Sequence, residues 1–210
     1  MNPAPTQLNE FKGHIFLIED DVNLSASLVS SFEYLGYCVH AFSCAAEFFG
    51  CDLSSFSPAV IVSDVSLPGL SGIELQAKLI ELDRLTPIIF ISGECSVAES
   101  VSGMKQGAIE FLTKPFRRDD LINAIVWGIE MDRNYLKRIC LKTDSMNLLE
   151  RLAPREREVF DLLVDGASNH QVSGLLNISP ETVKQYKKQI KQKLEMNSLS
   201  EFISLSKNST

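Results

Sequence analysis

This 210-residue chain has no apolar run near the ~20 residues that a bilayer-spanning helix needs. Its first ten residues, Met1 to Glu10, hold neither a basic n-region nor an apolar h-region, so no export signal is expected. Cysteine is sparse. Cys38, Cys44, Cys51, Cys95 and Cys140 are odd in number and lack the spacing of a metal motif. Without an export signal they are expected to be reduced thiols rather than disulfides, and Cys95 an ordinary exposed thiol rather than a redox centre. No Gly/Ser/Pro-rich segment interrupts the chain, which argues against a flexible tether, and there are no repeats or low-complexity tracts. These absences point to a cytoplasmic protein with no membrane partner. Its 45% hydrophobic and 22% charged content is that of an ordinary globular chain.

Charge is present but uneven. Residues 1–127 carry 7 Lys+Arg against 16 Asp+Glu, whereas 148–210 carry 9 against 8. An acidic front joined to a near-neutral rear predicts two domains with different partners.

The front alternates strand-like and helix-like runs. Short apolar runs at 14–18, 38–42, 59–63, 87–91 and 110–112 read as strands. Runs at 24–35, 44–49, 73–82, 97–106 and from 117 onward read as helices. Ala59-Val60-Ile61-Val62-Ser63 and Pro87-Ile88-Ile89-Phe90-Ile91 are continuous enough to be buried on both faces. Five βα units predict an α/β fold with a doubly wound five-stranded parallel sheet, order 2-1-3-4-5. Its ligand site is expected at the carboxyl ends of strands one and three, where the winding reverses. Helix-compatible sequence then runs on through a linker, placed at 128–147. From 148 to 210 the pattern is all-α, four short helices with Pro154 and Pro180 at first helical positions and Ser168 and Ser179 as caps.

The chemistry gathers at strand ends. Glu19-Asp20, Asp64, Ser92 and Lys114-Pro115 each follow a strand run. Two carboxylates ~4 Å apart repel by roughly 4 kcal/mol at an effective dielectric of ~20. Glu19, Asp20 and Asp64 together therefore favour a hard divalent cation, Mg²⁺. Asp64 can attack phosphorus to form an acyl phosphate. Lys114 can hold a phosphoryl oxygen and the Ser92 hydroxyl can donate to another. Asp21 is read as a helix N-cap.

Phe16-Leu17-Ile18-Glu19-Asp20, Val62-Ser63-Asp64-Val65-Ser66-Leu67-Pro68-Gly69-Leu70-Ser71-Gly72, Phe90-Ile91-Ser92-Gly93 and Phe111-Leu112-Thr113-Lys114-Pro115-Phe116 resemble the bacterial response-regulator receiver domain over residues 13–127. The resemblance implies phosphorylation of Asp64 by a sensor histidine kinase. It also implies that the Ser66 backbone carbonyl completes a Mg²⁺ shell with Glu19, Asp20 and Asp64. Ser92 matches a switch hydroxyl, Phe111 an aromatic that changes rotamer, and Lys114-Pro115 a bond often cis. Glu94-Cys95-Ser96-Val97 departs from a Gly-containing tetrapeptide common in the family. A phosphatase of the aspartate type often has a second acid two residues after its nucleophile; Ser66 stands there instead, so no enzyme is expected and no catalytic residue is assigned.

In the rear half, residues 180–194 hold five Lys against one Glu. At about 100° per residue, Val183, Ile190 and Leu194 share one face, with Lys184, Lys188 and Lys191 about 80–140° away. Lysine neutralises phosphates and Gln reads adenine edges, so a helix-turn-helix binding double-stranded DNA is expected. Leu152-Ala153-Pro154-Arg155-Glu156-Arg157-Glu158-Val159, Gly166-Ala167-Ser168-Asn169 and Ile178-Ser179-Pro180-Glu181-Thr182-Val183-Lys184 resemble the LuxR-type helix-turn-helix of FixJ/NarL regulators. The resemblance implies that Lys184, Gln185 and Tyr186 face the major groove, that Thr182 is also a DNA-binding residue, and that Asn169 and Lys188 touch phosphates. Lys187 lies near the core side and is unassigned. His170 stands where a Lys is common and Ser173-Gly174 where Ala-Arg or similar is usual, and these departures remove positive charge. The whole is expected to be a two-component transcription regulator that forms a homodimer on phosphorylation, with RNA polymerase a candidate partner at the promoter.

Overall fold

The computed structural model describes residues 11–52, 55–93, 97–196 and 198–209; Cys95 and the first ten residues lie outside these. The elements run β1 His14–Ile18, α1 Val22–Tyr34, β2 Cys38–Phe42, α2 Ala45–Phe49, β3 Ala59–Asp64, α3 Gly72–Glu81, β4 Ile88–Ser92, α4 Val97–Lys105, β5 Glu110–Thr113 and α5 Arg118–Glu150. After them come α6 Pro154–Val164, α7 Asn169–Leu176, α8 Pro180–Leu194 and α9 Leu199–Ser209. Packing divides the chain into two compact units, Met1–Tyr135 and Leu136–Thr210.

In the first unit all strand pairs are parallel and the order is β2-β1-β3-β4-β5, as the sequence pattern predicts. Strand residues alternate between faces. Ile15, Leu17, Val60, Val62, Ile89 and Ile91 meet Phe32 of α1 and Leu121, Ile125 and Ile129 of α5. Phe16, Ile18, Ile61, Ile88 and Phe90 meet Phe48 of α2 and Leu75 and Leu79 of α3. Every residue of β3 and β4 is buried, which accounts for their unbroken apolar runs; no residue of the edge strand β2 is fully buried. Full burial of each Val, Ile or Phe side chain in β3 and β4 is worth about 1.5–3 kcal/mol.

Local signals set the boundaries. Asp21 caps α1, accepting from the Asn23 and Leu24 amides at 2.8 and 3.1 Å. Ser71 and Glu74 form a reciprocal capping box on α3. Gly36 and Gly107, both at positive φ, follow α1 and α4. Two glycines matter for space rather than φ. A Cβ on Gly128 would lie 2.6 Å from Val60 Cγ2, so α5 lies against the sheet at that point. A Cβ on Gly72 would lie 2.4 Å from the Asp64 carbonyl oxygen, so α3 begins directly beneath the end of β3.

The first unit's packing extends past residue 127. Ile129 belongs to its core. The buried Asp132 accepts from the Ala59 amide at 2.8 Å, tying α5 to the first residue of β3. Burial holds the Asp132 carboxyl above its ordinary pKa, against the lowering effect of that hydrogen bond.

The second unit is all-α around Leu149, Val159, Phe160, Leu163, Val172, Val183, Ile190, Leu194 and Phe202. Ser168 with Gln171 boxes the start of α7, and Ser179 caps α8 behind Pro180. Ala153 precedes α6 with no acceptor of its own, so only the reverse half of that box exists, Glu156 accepting from the Ala153 amide at 2.7 Å. Asn177 adopts the left-handed conformation between α7 and α8, and Ser173 donates to the Ile178 carbonyl at 2.6 Å, fixing the turn. The last helix runs from Leu199 to Ser209.

Candidate functional site

Register alone assembles the acidic rim. Ile18 pairs with Ser63, so Glu19 leaves β1 level with Asp64 at the end of β3. Ser92 pairs with Thr113, so Lys114 leaves β5 one step beyond the end of β4. The ligand oxygens of Glu19, Asp20 and Asp64 lie within 4.8 Å of one another. Glu19 and Asp64 are buried and Asp20 faces solvent. Lys114 Nζ donates to Glu19 Oε2 at 2.7 Å and to Asp64 Oδ2 at 2.5 Å. One ammonium is therefore shared by two carboxylates.

The other Asp64 oxygen, Oδ1, accepts from the Ser66 amide at 2.8 Å, which fixes the carboxylate plane. Ser63 Oγ donates to the Asp64 carbonyl at 2.8 Å. Ser92 is wholly buried, and its carbonyl accepts from the Lys114 amide at 2.6 Å. Lys114–Pro115 is cis, and so is Ser57–Pro58, which the sequence did not single out. Phe111 is half-buried and packs against Phe90, with ring centroids 5.9 Å apart.

Burial holds Glu19 above the ordinary carboxylate value and the Asp64 charge adds to this, while Lys114 opposes both. For Lys114 burial pushes downward, but hydrogen bonds and charge from Asp64 and Glu19 outweigh it, and the ammonium is held above its usual range. Glu19, Asp20 and Asp64 bring hard carboxylate oxygens to one point, which suits Mg²⁺ or a similar cation.

On the second unit, Asn169, Lys184, Lys187, Lys188 and Lys191 line one open pocket. Of the residues singled out from sequence, this brings Asn169, Lys184, Lys188 and Lys191 together. Thr182 is half-buried in the cap of α8, its hydroxyl 2.8 Å from Ser179 Oγ. Gln185 is exposed, and Tyr186 is half-buried against the core. Lys184 also reaches Glu181 at 3.1 Å.

A family model described as response regulator receiver domain matches residues 15–126, and one described as bacterial regulatory proteins, luxR family, matches residues 150–206. The chain belongs to the response-regulator family. It is a response regulator with a receiver domain and a LuxR-type domain. This response regulator is 38% identical over 198 residues to Nodulation protein W of Bradyrhizobium diazoefficiens, covering 93% of this chain and 86% of that one. It is 36% identical to the transcriptional regulatory protein FixJ of the same organism, covering 92% and 94%. Among solved structures it resembles response regulator StyR (TM-score 0.81, 32% identity, 92% of this chain and 98% of that one). It also resembles full-length FixJ from B. japonicum (TM-score 0.59, 34% identity, 95% and 98%). Among its described residues no helix is long and apolar enough to cross a membrane.

Sequence reasoning left one residue of this response regulator's lysine surface aside. Lys187 projects near the core direction on a helical wheel, yet its Nζ reaches Asn169 Oδ1 at 3.1 Å and lines the pocket. A long aliphatic stem that runs over apolar surface and delivers its charge at the edge explains the difference. Net charge on the helix was the available signal; the wheel angle of Cα was misleading.

Proposed function

We propose that this protein is a phosphorylation-controlled transcription factor in which Asp64 takes a phosphoryl group from a sensor histidine kinase. The observation that carries this reading is the shared Lys114 ammonium between Glu19 and Asp64, at the carboxyl ends of β1, β3 and β5. Asp64 attacks the phosphorus; the donor's histidine nitrogen leaves as the acyl phosphate forms. Glu19, Asp20, Asp64 and the Ser66 carbonyl would hold Mg²⁺, which when bound neutralises charge on the phosphoryl oxygens. The modified Asp64 releases Lys114 from its carboxylate contact, and the ammonium then pairs with a phosphoryl oxygen. The Ser92 hydroxyl donates to a second oxygen, and Phe111 turns inward from its half-buried place beside Phe90. The surface around α4 and β5 then becomes a homodimer contact.

The receiver function belongs to the first unit, which reaches past the expected boundary at 127 to include Ile129 and Asp132, and DNA binding to 148–210, with the rest of α5 joining the two in sequence. Lys184, Gln185 and Tyr186 approach base edges of double-stranded DNA, with Thr182 setting the start of their helix. Lys188 and Asn169 touch phosphates. The protein acts in the cytoplasm at promoters, with RNA polymerase as a further partner, and it is not an enzyme.

The test is DNA binding by the full chain with and without a small phosphodonor and Mg²⁺, comparing wild type with Asp64→Asn at two salt concentrations. Wild type should gain one phosphoryl mass, sediment as a dimer and bind DNA more tightly; Asp64→Asn should do none of these. Equal donor-dependent gains in both proteins would overturn the phosphorylation mechanism and leave DNA binding standing.

A further inference from the structure

A second cluster of ligand side chains lies at the opposite end of the receiver sheet. His14 opens β1, and its register partner on β2 is Cys38. His40 lies two residues further along β2, so all three side chains project from the same face. Their ligand atoms lie within 4.8 Å of one another. His14 Nδ1 is 3.1 Å from His40 Nε2, and His40 Nε2 is 3.7 Å from Cys38 Sγ.

These separations fit a tetrahedral ion. With Zn–N near ~2.05 Å and Zn–S near ~2.3 Å, tetrahedral edges are about 3.3 Å for N···N and about 3.6 Å for N···S. The imidazoles are held in place by rings rather than by carboxylates. Phe11 and Phe56 pack edge-on against His14, with centroids 5.0 and 5.1 Å away, and Phe16 stacks on His40 at 5.2 Å. Both imidazoles are half-buried, whereas Cys38 is exposed on the edge strand, so the fourth position opens to solvent. Four residue steps of ~3.3 Å along β1 separate this cluster from the Glu19 end of the strand.

We infer that His14, Cys38 and His40 form a binding site for a borderline-soft first-row cation, with Zn²⁺ as its representative. Two imidazole nitrogens and a thiolate match the preference of such ions and are a poor match for Mg²⁺. Binding would staple the edge strand β2 to β1, the strand whose far end carries Glu19. The simpler alternative is a hydrogen bond between two neutral imidazoles with a thiol beside it, which gives the same 3.1 Å contact without an ion.

The reduced full chain is titrated with Co²⁺ in excess Mg²⁺, which keeps the oxygen-only rim occupied. A thiolate-to-cobalt band in the near ultraviolet, with visible bands of tetrahedral intensity, should saturate at one equivalent and be displaced by Zn²⁺. Cys38→Ser should abolish the near-ultraviolet band although four cysteines remain, and His40→Gln should abolish saturation at one equivalent. Equal unfolding temperatures of wild type and Cys38→Ser without metal show that the variant folds, and Zn²⁺ should raise only that of wild type. No thiolate band at stoichiometric Co²⁺, or an undiminished band in Cys38→Ser, overturns the proposal in favour of the imidazole hydrogen bond.

Discussion

At the receiver rim a single ammonium, that of Lys114, serves two buried carboxylates, whereas α8 carries five lysines, with Lys184 and Lys188 exposed. The first arrangement removes charge from water and depends on each partner being present. The second leaves much of its charge in water, where each lysine contributes little alone and salt screens all of them. A site of the first kind responds sharply to one new group, which suits a switch. A surface of the second kind offers a graded attraction to a polyanion, which suits an output.

The contrast can be broken most strongly at Lys114. Lys114→Ala leaves Glu19 and Asp64 side by side with no cation. Loss of about 3 kcal/mol in the receiver's denaturant unfolding is expected without divalent ions; this is the low end for a broken buried pair, because Lys114 keeps some exposure. Added Mg²⁺ should recover part of it. Next comes packing. Gly128→Leu places a side chain where Val60 and Ile109 already stand. It should destabilise the receiver by about 2 kcal/mol and leave α6 to α9 unaffected, as read by separate unfolding probes in the two units.

A smaller effect tests a buried charge in the second unit. Glu156 accepts from Lys193 Nζ at 2.6 Å as well as from the Ala153 amide. Burial raises its pKa, but Lys193 and the amide outweigh that, so the native value lies below the ordinary 4.5. A depressed carboxylate contributes stability above its unfolded pKa and loses it as pH falls through the native value. The second unit's melting temperature should therefore decline on acidification from about pH 5 downward. In Glu156→Gln the unfolding free energy should start lower, by about 1 kcal/mol, and converge with wild type in acid. The smallest change is Lys188→Ala. Stability should be unaltered, and the salt dependence of DNA binding should lose about 0.9 units of log–log slope.

Much of the fold was legible because each local signal agreed with the global pattern. The unbroken β-branched run at 59–63 is what a strand covered on both sides is expected to show, and β3 is buried throughout. Pro180 behind Ser179 marked a helix start, and the register of five parallel strands then placed Glu19, Asp64 and Lys114 together. What was not legible depends on separations through space. The Asp132 carboxyl and the Ala59 amide are 73 residues apart and meet only once α5 lies on the sheet. His14 and Cys38 have no metal-motif spacing because they come from different strands, and a linear search for ligand spacing sees only the pair Cys38 and His40. Lys187 escaped because a Cα angle does not describe a four-carbon stem. Ser173, noted only as part of a pair that lacks a common Arg, holds the turn of the helix-turn-helix.

The Asp132 contact has a practical meaning for dissecting the protein. A receiver fragment ending at residue 127 would lose Gly128, Ile129 and Asp132 together, uncovering part of the β3 face that α5 covers, beside Val60, and leaving the Ala59 amide without its acceptor. β3 is the strand that presents Asp64 at its far end. Such a fragment would report on a frayed phosphoacceptor strand, and one ending at Tyr135 keeps that strand gripped at both ends.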